Sequence, residues 1–312
     1  MHYQPHNYQR QATQFIIDHD EAAIFLGMGL GKSVITLTAI WQLMLDYFTI
    51  HRVLVIAPLR VARDTWPAEI AKWDHLDGLT VAVAVGTKQD RLNALTASAM
   101  VTIINRENIP WLISQLGSAW PFDMVIIDEL SSFKNHRAKR FTALVKMRPF
   151  VKRWVGLTGT PASNGLMDVW AQFRLLDGGE RLGRFITRYR ERWFTPDKRN
   201  GMQVFTYKPR VGAEDEIYAA IGDMTLSMRT TDHLQLPPLT VTTTPVTLEP
   251  KERKVYDQLK ADLVLDLDGA TVDAANAAAL SGKLLQLASG AIYTSDGQWT
   301  AVHERKLDVL ED

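Results

Sequence analysis

Leu26-Gly27-Met28-Gly29-Leu30-Gly31-Lys32-Ser33 decides how this chain reads. An apolar run over residues 22–26 precedes it and reads as a buried strand. The stretch 33–45 that follows reads as a helix. Strand, glycine-rich turn, Gly-Lys-Ser and helix form the context of a phosphate-binding loop. The glycines Gly29 and Gly31 let backbone N–H groups close around phosphate oxygens, with Leu30 between them. The helix N-terminus adds unpaired donors and a favourable dipole. Lys32 is placed to neutralise the β/γ-phosphates, and the Ser33 hydroxyl to hold Mg²⁺.

About a hundred residues on, Phe122-Asp123-Met124-Val125-Ile126-Ile127-Asp128-Glu129 is an apolar strand ending in two acids. This is the form of a Walker B segment. Asp128 is the candidate Mg²⁺ carboxylate, and Glu129 the group that orients or deprotonates an attacking water.

Around these two motifs short apolar runs alternate with helical patterns. Strands are expected at 22–26, 53–57, 80–85, 101–104, 124–128 and 154–157. Helices are expected at 33–45, 61–73, 88–97, 109–116, 138–145 and 166–175. The alternation implies an α/β fold, a mostly parallel sheet with helices on both faces. Ligands then bind beyond the carboxyl ends of the strands, where Lys32 and Asp128 fall. After Gly178-Gly179 the pattern loses its period, and 180–235 reads as a basic, aromatic insertion. Residues 236–238, Leu-Pro-Pro, form a break. A strand is expected at 240–248, helices at 250–266 and 272–288, and a hairpin at 292–302 with Asp296-Gly297 at its turn. The expected organisation is an α/β phosphate-binding domain over 1–179, the insertion over 180–235, a return strand and helical segment over 236–305, and a short linking stretch beginning at 306–312.

Composition bounds the rest. With 46% hydrophobic residues, the 312-residue chain has material for a sizeable core. It has no cysteine, so disulfides and thiolate metal sites are excluded, and no apolar run approaches the length needed to span a bilayer. A cytoplasmic protein without a membrane partner is expected. Lys and Arg balance Asp and Glu at 35 each, so the distribution of charge says more than its sum. Residues 134–153 carry eight Lys and Arg and no acid. Arg181, Arg184, Arg188, Arg190, Arg192 and Arg199 interleave with Phe185, Tyr189, Trp193 and Phe194. Those aromatics either stack on bases or form a small core under the insertion.

With these residues in place, the chain resembles the first RecA-like motor domain of a superfamily-two helicase. It is similar to the Swi/Snf-type DNA translocase branch, with phage and bacterial members nearest in character. Tyr8-Gln9 matches the adenine-selecting glutamine motif, and Met28 to Ser33 matches motif I. Leu26-Gly27 stands where the family usually has Asp-Glu. Ala57-Pro58-Leu59-Arg60 resembles motif Ia, which implies a phosphate contact for Arg60. Ile104-Asn105-Arg106-Glu107 occupies the next backbone-contacting position, which implies a similar role for Asn105. In Asp128-Glu129-Leu130-Ser131, Ser131 replaces the family's His. Leu157-Thr158-Gly159-Thr160-Pro161 matches motif III, so Thr158, Gly159 and Thr160 are expected to couple the nucleotide to the DNA side.

The resemblance implies ATP and Mg²⁺ as cofactors. It also implies double-stranded DNA, gripped without regard to sequence, as partner, with Lys134, Arg137, Lys139 and Arg140 as further contacts. The implied function is an ATP-dependent DNA translocase or helicase motor in a bacterial cell or phage-infected host. A second RecA-like domain, in a longer chain or a partner chain, is expected to supply arginine fingers. Without it, turnover is expected to be weak or absent. Two other readings stay open: a nucleotide-responsive nucleic-acid-binding module, and the motor subunit of a restriction or nuclease system.

Overall fold

The computed structural model describes residues 1–160, 162, 165–200, 203–233, 242–267, 270–273 and 277–311. The chain divides into two compact units, Met1–Leu236 and Pro237–Asp312.

The first unit is built as α1 (Asn7–Asp18), β1 (Glu21–Leu26), α2 (Lys32–Trp41), β2 (Val53–Ala57), α3 (Trp66–Lys72), β3 (Val81–Ala84), α4 (Lys88–Thr96), β4 (Val101–Asn105), α5 (Ile109–Leu116), β5 (Met124–Asp128), α6 (Lys139–Met147), β6 (Arg153–Thr158), α7 (Met167–Leu176), α8 (Ile186–Trp193), α9 (Ala213–Ile221) and β7 (Thr225–Met228). The strands form one seven-stranded sheet in the order β7-β1-β6-β5-β2-β4-β3. Every pairing in it is parallel.

Strands buried on both faces are mostly apolar, and β2, β4 and β6 are buried at every position, with the polar exceptions Thr102, Asn105, Arg153 and Thr158. Side chains alternate across the sheet, which divides the core in two. Ala23, Phe25, Leu54 and Ile56 belong to one layer, while Ala22, Ile24, Val53 and Val55 belong to the other. Gly156 lies inside β6, where an added Cβ would sit 2.5 Å from Leu130 Cδ2. The strand approaches the turn after β5 that closely.

Two expected helices are each part α and part π. Residues 42–46 continue α2 as a five-residue π segment, and Val61–Thr65 precedes α3 as another. The segment 180–235 is not a detached insertion. Tyr189, Trp193, Phe194 and Ile217 enter the main core, and Thr225–Met228 joins the sheet beside β1. The return strand is therefore β7, not 240–248, and residues 242–249 pair with no strand. A four-residue Thr-Leu-Ser-Met run carries little pattern of its own; β1 supplies its backbone partners. The expected break at 236–238 and residues 240–241 lie outside the described residues.

The second unit has its own core of Leu259, Leu265, Val272, Leu287 and Ile292. Its helix Pro250–Asp262 stops earlier than expected, because Leu263 turns left-handed at φ 60° and Val264–Leu267 pairs with Ala270–Asp273. The second helix spans Ala277–Leu287, since the β-branched Thr271 and Val272 sit in that hairpin. The expected hairpin over 292–302 forms as Ala291–Tyr293 against Trp299–Ala301, with Gly297 at φ 84°. Among the described residues, no helix is long and apolar enough to cross a membrane.

Candidate active site

β1 ends in the loop 27–31, which turns directly into α2. Gly29 and Gly31 have φ of 82° and 78°, a region that side chains resist. Gly31 is also crowded, with an added Cβ 2.7 Å from Gln9 Nε2. Leu30 is fully buried and packs in the core beneath the loop. Lys32 Nζ donates to the carbonyls of Leu26 at 2.9 Å and Gly27 at 3.2 Å. Its side chain thus folds back across the loop it is placed to serve.

The far side of the loop is held by the end of β7. Gly27 N–H donates to Met228 O at 3.2 Å, and the Thr230 hydroxyl donates to Met28 O at 3.2 Å. A Cβ on Gly27 would lie 2.1 Å from Thr230 Oγ1. The departure from the family's Asp-Glu at this position therefore goes with close seating of Thr230.

Gln9 and Tyr8 begin α1 beside the loop. Gln9 Oε1 accepts the His6 N–H at 2.9 Å, which fixes its amide. Tyr8 is buried, with its ring against His6 at 5.5 Å and His233 at 4.9 Å. Tyr8 thus supports the floor, while Gln9 lines a cavity of about 640 Å³ with His6, Gly29, Gly31, Lys32 and Ser33. Glu69 and Lys72 of α3, with Trp73 just after it, close its other wall.

β5 delivers the acids. Asp128 Oδ2 accepts the Trp66 indole N–H at 2.9 Å, and Oδ1 accepts the Glu129 N–H at 3.0 Å. Burial pushes the Asp128 pKa up, against those two hydrogen bonds; the Glu129 charge adds to the rise and Lys32 opposes it. Burial lowers the Lys32 pKa, and the Asp128 and Glu129 carboxylates oppose that shift. The three residues thus form one electrostatic cluster.

Glu129 sits at φ 57° and ψ 59°, a strained conformation for a residue with a side chain. That turn aims its carboxylate at two hydroxyls. Ser131 Oγ and Thr158 Oγ1 both donate to Oε1, the latter at 3.2 Å. Thr158 Oγ1 in turn accepts the Thr160 N–H at 3.2 Å, and Gly159 passes close to Leu26 O. A chain of contacts thus joins β5, β6 and the end of β1. Pro161 lies outside the described residues.

The oxygen donors fit Mg²⁺. Asp128 keeps a free lone pair on each oxygen, and Ser33 opens α2 beside the loop. Among the described residues, no cluster of three His, Cys, Asp or Glu stands ready for a metal.

The expected nucleic-acid residues divide. Arg60, Arg137 and Lys139 are exposed. Asn105 is buried and committed inward: its Nδ2 donates to Glu107 at 3.0 Å and its Oδ1 accepts from Asn108 at 2.5 Å. Arg140 donates to Ser132 O at 2.9 Å, and Lys134 lies 3.7 Å from Asp168. The acid-free run 134–153 is not a bare cationic face either. Glu21 pairs with Arg148, Asp123 with Lys152 and Asp20 with Arg153. Arg153 also donates to the carbonyls of Ile16, Ile17 and His19, closing the C-terminal end of α1.

Trp66 and Thr230 were invisible as site residues in the sequence. A tryptophan inside an amphipathic helix reads as core, and only its contact with Asp128 gives it another meaning.

The SNF2-related domain family matches residues 8–290. Protein p41 of Acyrthosiphon pisum secondary endosymbiont phage 1 is 39% identical over 314 residues, covering 98% of this chain and 68% of that protein. The DNA excision repair protein ERCC-6-like of Mus musculus is 32% identical over 168 residues, which is 51% of this chain and 13% of that one. Among solved structures, the Sulfolobus solfataricus SWI2/SNF2 ATPase core in complex with dsDNA superposes with a TM-score of 0.61 at 21% identity. That match covers 84% of this chain and 53% of the archaeal chain, and it shows a shared fold.

Proposed function

The chain belongs to the SNF2-related domain family, and on that premise we propose that it is the ATP-binding half of a DNA translocase motor. The observation that carries the proposal is the cluster of Lys32, Asp128 and Glu129 at the carboxyl ends of β1 and β5. In this reading Gln9 meets the adenine edge. The loop N–H groups of Gly29, Leu30 and Gly31 cradle the phosphates, and Lys32 leaves its loop carbonyls for the β/γ-phosphate oxygens. Ser33 and Asp128 would hold Mg²⁺, which would offset the charge that develops on those oxygens. Glu129 accepts the proton of the water that attacks the γ-phosphorus, and ADP leaves with the electron pair of the broken bond. Thr158 and Ser131, both on Glu129 Oε1, register whether that carboxylate is engaged, and Thr160 carries the change towards the DNA side.

Arg60, Arg137 and Lys139 are the exposed cations of the motif-bearing loops, suited to phosphates rather than bases. Arginine fingers in related phosphoryl-transfer enzymes contribute about 10³–10⁵ in rate. Here they are assigned to a second RecA-like domain, in a longer chain or a partner. The likeness to a phage protein supports action in the cytoplasm of a bacterial or phage-infected cell.

The test is ATP hydrolysis by the full-length natural protein with and without duplex DNA. Hydrolysis that rises with duplex and disappears in Lys32→Ala supports the motor. Tight nucleotide and DNA binding with no turnover under either condition would replace it with a nucleotide-responsive binding module.

A further inference from the structure

Between Arg184 and Arg210 the chain carries eight Lys and Arg against two acids, Glu191 and Asp197, although its overall charge is zero. The fold sorts this segment by chemistry. Tyr189 and Trp193, one helical turn apart on α8, are buried and anchored. Tyr189 Oη donates to Leu166 O at 2.7 Å, and Trp193 Nε1 donates to Glu216 at 3.0 Å. Tyr189 and Trp193 are therefore core and are not available for base stacking, whereas Phe185 is exposed. The same pitch turns Arg188 and Arg192 outward. Phe194–Pro196 then pairs with Tyr207–Pro209, which presents Lys198 and Lys208 to solvent on the same hairpin.

These cations have few acids to answer them. The Arg188–Glu191 pair at 3.4 Å is the one ion pair of the segment among the described residues, and it is exposed enough to hold little. Asp197 accepts the Thr206 hydroxyl instead. Arg190 and Arg192 lie over the rings of Tyr207 and Trp193 at 4.7 and 4.3 Å, which fixes their planes without neutralising them. Arg190 and Arg210 also line a cleft of about 340 Å³ between α8 and the hairpin. Arg190 Nε is buried there with no hydrogen-bond partner.

His136 packs against Trp170 at 5.6 Å, and after burial the charges of Arg137 and Arg190 are what lower its pKa.

We propose that α8 and the paired strands 194–196 and 207–209, with Lys198 beside them, form a second phosphate-contacting surface for duplex DNA. The proposal rests on the motor reading. A surface of guanidinium and ammonium groups that outnumber the acids beside them fits a polyanion of regular charge and does not read bases. Its cations release counterions from phosphates and so add to the salt dependence of binding.

The experiment measures affinity of the full-length natural protein for a fluorescent duplex across a salt series. Arg188, Lys198 and Lys208 are replaced together by Ala; all three are exposed and none serves the nucleotide. If each meets one phosphate, the slope of log K against log salt becomes shallower by about 2–3, with nucleotide affinity and melting temperature unchanged. An unchanged slope, in a protein whose slope does flatten on Arg137→Ala and Lys139→Ala, overturns this surface and leaves the motor standing. Equal flattening on Lys251→Ala, Lys254→Ala and Lys260→Ala also overturns it, since overall charge then accounts for the effect. A wild-type protein without salt-dependent duplex binding overturns the motor reading itself.

Discussion

Trp66 donates its indole N–H to Asp128 Oδ2 at 2.9 Å, so the first residue of α3 holds the carboxylate at the end of β5. Trp66 is fully buried, and the π segment Val61–Thr65 that precedes it begins next to Arg60. A segment suited to DNA phosphates is therefore one contact away from the candidate Mg²⁺ ligand. Trp66 is a positioning residue in this account. Trp66→Phe keeps the ring and removes the donor. It is expected to raise the Mg²⁺ concentration for half-maximal nucleotide binding about 10–100-fold, the range for groups that orient metal ligands. A Mg²⁺ titration of fluorescent ATP-analogue binding reads this. An unchanged midpoint would remove Trp66 from the site.

Glu129→Gln preserves an acceptor for Ser131 and Thr158 and removes the base. In the full-length natural protein, turnover is expected to fall about 10²–10⁴-fold, the contribution of a positioned base. Nucleotide affinity is expected to hold. Undiminished hydrolysis would assign the proton to another group.

Much of this site was legible in the sequence because its residues sit at strand ends, where a short motif fixes the backbone. Lys32, Ser33, Asp128 and Glu129 are proposed on that ground. β2, β5 and α5 match their expected bounds, since apolar runs of that length have one way to be buried. What stayed hidden was tertiary. Thr225–Met228 becomes a strand because β1 offers it an edge. Arg148, Lys152 and Arg153 look free in a run without acids, yet their partners come from residues 20, 21 and 123. Asn105 faces inward because Glu107 and Asn108 use both ends of its amide.

Gly27 and Thr230 are expected to be coupled. An Ala at 27 must displace the Thr230 hydroxyl from its 2.1 Å approach and so disturb the phosphate loop. Gly27→Ala should weaken ATP binding more in the wild-type background than beside Thr230→Ala. Contacting residues couple by about 0.5–3 kcal/mol. Additive effects in the four-protein cycle would show that Thr230 does not brace the loop.

Asp123 offers a pH test of the fold. Its carboxylate accepts the N–H groups of His51 at 2.8 Å and Arg52 at 3.3 Å, and pairs with Lys152 at 3.1 Å. Burial pushes its pKa up, but these donors outweigh burial and hold it below its ordinary value. The folded pKa is thus lower than the unfolded one. The stabilisation is present above the unfolded value of about 4 and is lost as pH falls through the folded value. Asp123→Asn is expected to cost about 1–3 kcal/mol at pH 7 and progressively less below pH 4 in urea unfolding. A difference independent of pH would contradict the assignment.

The most direct measurement is calorimetric titration of Mg·ATP into the 312-residue chain and its Lys32→Ala variant, with melting curves showing both folded. The account expects saturable one-to-one binding by the first and none by the second. Equal binding by both would contradict the phosphate-loop assignment on which the account rests.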